Sequence, residues 1–147
     1  MIALIQRVNS CKVYIENQGD SVIQQGLLVF LGIEQNDSVD DIKYCAKKII
    51  NLRIFDDNQG KMNLSVKDLD AEVMIISQFT LCGNTKKGNR PSYVAAMDVE
   101  SAKIIYNQFL DYIVTLYKRV QSGTFQATMN VALENNGPVT LIIRSNN

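Results

Sequence analysis

Two short apolar runs limit what this chain can become. Leu27-Leu28-Val29-Phe30-Leu31-Gly32-Ile33 follows Gly26, and Val73-Met74-Ile75-Ile76 sits between Glu72 and Ser77. Each is far shorter than the roughly 20 residues that span a bilayer, and both are rich in β formers, so they read as buried strands. Between them Ile42, Cys45, Ala46, Ile49 and Ile50 follow the spacing of one buried helix stripe, opened by Ser38 with Asp41 three residues on as a cap. A helix with one apolar face needs a sheet to cover, which places the chain among mixed α/β folds.

The remaining elements follow from local pattern. Residues 2–8 and 11–15 predict two strands with a bend at Asn9-Ser10, and Asn17-Gln18-Gly19-Asp20 predicts a turn. Leu52 to Phe55 reads as a short strand and Asp57-Asn58-Gln59-Gly60 as a turn. Cys82 to Arg90 reads as an exposed loop, and Pro91 marks the start of a short helix over 92–97. Asp98 caps a long helix running to about Val120, with Ile105, Phe109, Tyr112 and Leu116 as its stripe. Residues 124–133 and 139–143 then form two strands joined by a tight loop at Asn135-Asn136-Gly137-Pro138. The expected architecture is one α/β domain over residues 1–147, a mainly antiparallel sheet or barrel-like core covered by two main helices.

The chain contains no histidine, which removes the commonest general base near neutral pH and excludes Ser-His-Asp and Cys-His chemistry. Cys11, Cys45 and Cys82 stand far apart without a CxxC pair, as expected of reduced structural thiols, and no cofactor or metal site is indicated. The acidic pairs Asp40-Asp41 and Asp56-Asp57 fit a helix start and a turn. Fifteen basic and fifteen acidic residues leave no net charge, so any nucleic-acid contact must be local; the densest basic cluster is Lys86-Lys87-Gly88-Asn89-Arg90. Arg7 follows the first apolar residues instead of preceding them, and no small-residue cleavage site is present, so a cytoplasmic location is the default expectation.

Two segments stand out chemically. Ser77-Gln78-Phe79-Thr80-Leu81 puts two hydroxyls and an amide where a buried strand meets an exposed loop, a position suited either to binding or to satisfying backbone groups at the strand end. Asn135-Asn136-Gly137-Pro138 is either a plain turn or a rigid loop presenting backbone groups to a ligand. Residue pattern by itself leaves both pairs of readings open.

With these segments the chain resembles the D-aminoacyl-tRNA deacylase family from Met1 to about Arg144. Ile5-Gln6-Arg7-Val8 resembles its N-terminal strand, and Ser77-Gln78-Phe79-Thr80-Leu81 resembles one signature. Gly83-Asn84-Thr85-Lys86-Lys87-Gly88-Asn89-Arg90-Pro91-Ser92 resembles the loop that follows, and Asn135-Asn136-Gly137-Pro138-Val139-Thr140 the second signature. Two positions depart from the family pattern: Asn136 replaces a usual aspartate, and Gln126 stands where glycine is common.

The resemblance implies a homodimeric hydrolase of D-aminoacyl-tRNA and glycyl-tRNA esters that spares L-esters. It implies that Gly137-Pro138, in the cis form, acts as a chirality filter in the partner's pocket, excluding L side chains by collision. Ser77, Gln78, Phe79 and Thr80 would line the pocket and hold the terminal adenosine and ester, with the amides of Phe79 and Thr80 near the carbonyl. Thr80 is expected to position substrate, and the ribose 2′-hydroxyl to assist. Arg7 would fix the incoming Gly-Pro loop, Asn135 would support it, and Lys86, Lys87 and Arg90 would approach tRNA phosphates. An editing enzyme for small L-amino acids and a non-catalytic RNA-end binding module are the competing readings.

Overall fold

The computed structural model describes residues 1–15 and 19–145; Asn17 and Gln18 of the expected turn lie outside them. The chain runs β1 (Ile2–Ile15), β2 (Gly19–Ile23), β3 (Gly26–Gly32), α1 (Val39–Asn51), β4 (Phe55–Asp56), β5 (Met62–Leu64) and β6 (Glu72–Ser77). A 3-10 turn (Phe79–Cys82), α2 (Val99–Leu116), β7 (Val120–Ser122) and β8 (Met129–Arg144) complete it. Six strands form one mixed sheet in the order β2-β1-β3-β6-β7, with β8 on β1, while β4 and β5 form a separate ribbon.

Both apolar runs are buried on both faces. Leu27, Val29 and Leu31 of β3 and Val73 and Ile75 of β6 face a core shared with Ile42, Cys45, Ala46, Ile49 and Ile50 of α1 and with Ala102, Tyr106, Phe109 and Ile113 of α2. Leu28, Met74 and Ile76 face the opposite way, into a second core with Val8, Cys11, Val13, Ile15 and Ile23. With a core on each side no position in these strands has a polar partner to alternate with, which is why they read as unbroken apolar runs. The β3–β6 and β6–β7 pairs are parallel, because the chain crosses over through α1 and α2 between them.

β1 ties the two cores together. Ala3 and Ile5 face the helix-side core, and Val8, one step out of phase, faces the second. Strict alternation would then return Cys11, Val13 and Ile15 to the first face. Instead the register against β8 jumps from Val8↔Asn135 to Ser10↔Glu134, leaving Asn9 as an extra residue. That one-residue bulge reverses the parity and keeps Cys11, Val13 and Ile15 beside Val8. The expected bend at Asn9-Ser10 is thus a bulge within one continuous strand.

The C-terminal segment differs more. Residues 129–144 form one strand along β1, not two strands of a hairpin, and 124–128 make a turn. Gln6 pairs with Thr140 and Val8 with Asn135, so residues 136–139 all stand opposite Arg7. The turn-forming sequence therefore makes a four-residue bulge in a strand whose two ends both pair with β1. Pro138, lacking an N–H, fits there because a bulge needs no ladder donor.

Smaller corrections concern β4, whose Phe55–Asp56 includes only Phe55 of the expected 52–55 strand, and residues 92–97, which form no helix. The polar groups of that segment are used instead by Asn84↔Ser92 and Glu34↔Ala96 bridges. The long helix stops at Leu116, and its fully buried line is Ala102, Tyr106, Phe109 and Ile113, with Ile105, Tyr112 and Leu116 at its edge. The α1 cap forms as expected: the Asp41 carboxylate accepts from Ser38 N and Ser38 Oγ, both at 2.8 Å. No helix among the described residues is long and apolar enough to cross a membrane.

Candidate active site

β6 delivers Ser77 to the sheet edge, and the ladder with β3 continues one residue further, Gln78 N donating to Leu31 O at 2.8 Å. The chain then closes into the 3-10 turn, held by Leu81 N to Gln78 O at 3.2 Å and Gly83 N to Thr80 O at 3.0 Å. Phe79 and Thr80 open this turn, where backbone amides have no internal acceptors. The Gln78 side-chain amide donates to Thr80 Oγ1. Phe79 is 57% exposed and meets the edge of Tyr93 with ring centroids 5.2 Å apart.

Ser77, Gln78 and Phe79 form one wall of a cleft of about 490 Å³. Across it stand Met97, Val99 and Ala102 at the start of α2 and Phe125, Gln126, Ala127 and Met129 of the turn into β8. The lining contains no carboxylate, lysine, arginine, tyrosine or cysteine, so no side chain there titrates near neutrality. The cysteines are buried, Cys45 and Cys11 in the two cores and Cys82 in the 3-10 turn; burial pushes their thiols up to about 11, which keeps them protonated and poor nucleophiles. No group of three or more His, Cys, Asp or Glu among the described residues is placed to hold a metal.

Directly after the 3-10 turn, the 84–92 loop is pinned at its base by Asn84 N to Ser92 O at 2.8 Å and Ser92 N to Asn84 O at 2.9 Å. Lys86, Lys87 and Arg90 are exposed within it, and none forms an ion pair among the described residues.

Gly137-Pro138 lies elsewhere, on the bulge of β8, and its peptide bond is cis. Arg7, only 5% exposed, fills the inside of that bulge. Its Nε donates to Asn136 O at 3.2 Å, one terminal nitrogen to Asn136 Oδ1 at 3.1 Å and Gly137 O at 3.3 Å, and the other to Ile54 O at 2.7 Å. Asp56 pairs with it at 3.5 Å. Asn135 bridges the neck of the bulge, Nδ2 donating to Arg7 O at 3.0 Å and Val139 O at 3.2 Å. Asn136 Nδ2 donates to Asn9 Oδ1 at 2.8 Å, so the residue in the first bulge supports the second. Within the chain Arg7 holds the Gly-Pro segment of its own strand partner, because the strand that carries the motif is paired with Arg7's strand.

Within the chain, Ser77, Gln78 and Phe79 come together with Thr80 adjoining, Arg7, Asn135, Gly137 and Pro138 form a second cluster, and the basic loop forms a third. Gly137-Pro138 is not among the residues lining the cleft. Sequence reasoning missed the far wall, Met97, Val99, Phe125, Ala127 and Met129. Their apolar character gave them the same signature as core, and only the fold separates an apolar wall from a packed interior.

A family model described as D-Tyr-tRNA(Tyr) deacylase matches residues 4–144. This chain belongs to that family. It is 48% identical over 145 residues to the D-aminoacyl-tRNA deacylase of Thermodesulfovibrio yellowstonii, covering 99% of each chain. It is 50% identical over 148 residues to that of Azobacteroides pseudotrichonymphae, covering 100% of this chain and 99% of the other. A solved structure titled c-Myc DNA Unwinding Element Binding Protein superposes with a TM-score of 0.93 at 38% identity over 99% of both chains. Another, a probable eukaryotic D-amino acid tRNA deacylase, shares the fold with a TM-score of 0.83 at 16% identity over 97% of both chains.

Proposed function

We propose that this protein hydrolyses the ester linking a D-amino acid or glycine to the 3′ end of tRNA and spares L-aminoacyl esters. The observation that carries the reading is the cleft without a titratable side chain, walled by Ser77, Gln78 and Phe79 and followed at once by a basic loop. An ester is already an activated acyl group, so a site that orients it and polarises its carbonyl needs no strong protein base. The amides of Phe79 and Thr80 donate to the carbonyl oxygen, Thr80 positions the substrate, and the ribose 2′-hydroxyl supplies the assistance that no cleft side chain offers. Lys86, Lys87 and Arg90 contact acceptor-end phosphates.

Selection against L-esters falls to Gly137-Pro138 of a second copy reaching into the cleft. Both residues are exposed, and a Cβ built at Gly137 would come no closer than 3.9 Å to any atom of its own chain outside its immediate neighbours. Glycine at this position therefore answers to something outside the chain. The free edge of β8, with Leu133, Leu141 and Ile142 exposed beside the bulge, provides the surface for that second copy. A structural relative is named for DNA binding; zero net charge gives this chain no overall basic field to hold a duplex, which favours a local contact with the tRNA end.

Incubation with D-tyrosyl-, L-tyrosyl- and glycyl-tRNA at increasing salt tests the proposal. Rapid loss of the D and glycyl esters, with the L ester spared and KM rising with salt, is expected. Preferential loss of an L ester would establish the editing alternative, and no turnover with retained tRNA binding would leave a binding module.

A further inference from the structure

Gln126 is a residue whose backbone and side chain make opposite demands. Its φ is +67°, in the left-handed region where a side chain is disfavoured and glycine is the residue of least cost. The position lies on the cleft wall opposite Ser77 to Phe79, and the side chain is solvent-exposed. Of the residues lining the cleft, only Ser77, Gln78 and Gln126 have polar side chains, and the Gln78 amide is committed to Thr80 Oγ1. The Gln126 carboxamide makes no hydrogen bond among the described residues. Its donor and acceptor are therefore both available, in a slot made largely of Phe125, Met129, Met97, Phe79 and aliphatic side chains with Ser77 and Gln78 as its other polar members.

An apolar slot bordered by aromatic rings suits the face of a flat heterocycle, and a free carboxamide at its rim suits that heterocycle's edge. A glutamine side chain matches adenine through N6 as donor and N7 as acceptor, the bidentate geometry by which adenine is read elsewhere. We infer that Gln126 recognises the base edge of the terminal adenosine, making it a substrate-binding residue particular to a chain with a side chain here. The inference rests on the proposed placement of the tRNA 3′ end in this cleft. It accounts for a glutamine at a left-handed position: the side chain gains on binding what the backbone loses in folding.

The test uses D-tyrosyl minihelices ending in adenosine, in purine riboside, which lacks N6, or in 7-deazaadenosine, which lacks N7. For the unaltered protein KM rises about tenfold when either group is absent, one hydrogen-bonding partner's share of a bidentate contact. In Gln126→Gly, which keeps the left-handed backbone without strain and so folds at least as well, both shares are lost: KM on the adenosine substrate rises about a hundredfold with kcat changing far less, and the three termini become equivalent. Equilibrium binding of a non-hydrolysable 3′-amide-linked D-tyrosyl-adenosine gives the same ranking without turnover. Normal turnover with no dependence on the base, or undiminished base discrimination by Gln126→Gly, overturns the inference and leaves the deacylase reading intact. Base-dependent binding of the amide analogue without hydrolysis of any ester supports the inference while overturning the deacylase reading.

Discussion

On the bulge that carries Gly137-Pro138 three hydrogen bonds converge from one buried guanidinium, which spends a fourth on Ile54 O, whereas the wall of the cleft at Ser77 to Phe79 is a strand end running into a 3-10 turn on an apolar core. The first region is held by charge. Arg7 donates to the Asn136 and Gly137 carbonyls where residues 136–139 leave the ladder, and Asn135 donates to that of Val139, so three bulge carbonyls are satisfied without strand pairing. The second is held by the two cores behind it, with Val73 and Ile75 on one side of β6 and Met74 and Ile76 on the other. The difference teaches how each part tolerates change: the bulge depends on a few polar side chains with Arg7 at their centre, while the cleft wall depends on no single polar group.

The largest expected effect breaks that contrast at Arg7. Arg7→Ala strands the carbonyls of Ile54, Asn136 and Gly137 and removes the filling of the bulge, at a cost of roughly 3–5 kcal/mol, a large share of a domain's stability. Urea unfolding measures it. Arg7→Lys recovers less than half, because an ammonium cannot fork among these carbonyls. A loss under about 1 kcal/mol for the alanine variant would show that β8 pairing alone fixes the bulge.

The reverse behaviour is expected on the other side. Thr80 is exposed and only accepts a hydrogen bond from Gln78, so Thr80→Ala leaves stability within about 0.5 kcal/mol. Its kcat on a D-aminoacyl ester falls about tenfold, the worth of one positioning hydrogen bond in the transition state. Unchanged kcat would move the positioning role to the backbone amides of the turn.

What could be read from sequence follows the same division. The runs at Leu27–Ile33 and Glu72–Ser77 and the α1 stripe were legible because burial on both faces, or on one helix face, leaves a periodic record in residue type. Ser77 to Thr80 was placed at a strand end by the same means. The bulge was not legible, since Asn-Asn-Gly-Pro has strong turn chemistry locally and only pairing with β1 on both sides of it shows that the strand continues. The burial of Arg7 was equally hidden: arginine is ordinarily exposed, and its partners are carbonyls 47 and 129 residues away in sequence. The left-handed backbone of Gln126 and the apolar far wall of the cleft emerge only from the fold.

The smallest effect tests whether the bulge needs charge on both sides. Asn136 accepts from Arg7 at 3.1 Å through Oδ1 and donates to Asn9 Oδ1 at 2.8 Å through Nδ2. Asn136→Asp keeps the acceptor, now as a carboxylate facing a guanidinium, and loses the donor to Asn9. The charge-assisted bond gains and the lost amide bond costs comparable amounts, so the net change near neutral pH is within about 1 kcal/mol. The pH dependence separates the two contributions. A carboxylate paired with Arg7 has its folded pKa depressed below the unfolded value near 4, so its contribution is present above that value and is lost as pH falls through the folded pKa. The asparagine protein has no such step at this site. The denaturant midpoint of the aspartate protein should therefore fall below that of the asparagine protein between pH 7 and pH 3 as the aspartate protonates. Parallel curves over that range would mean that the carboxylate gains nothing from Arg7, and that the guanidinium holds the bulge through its backbone carbonyls alone.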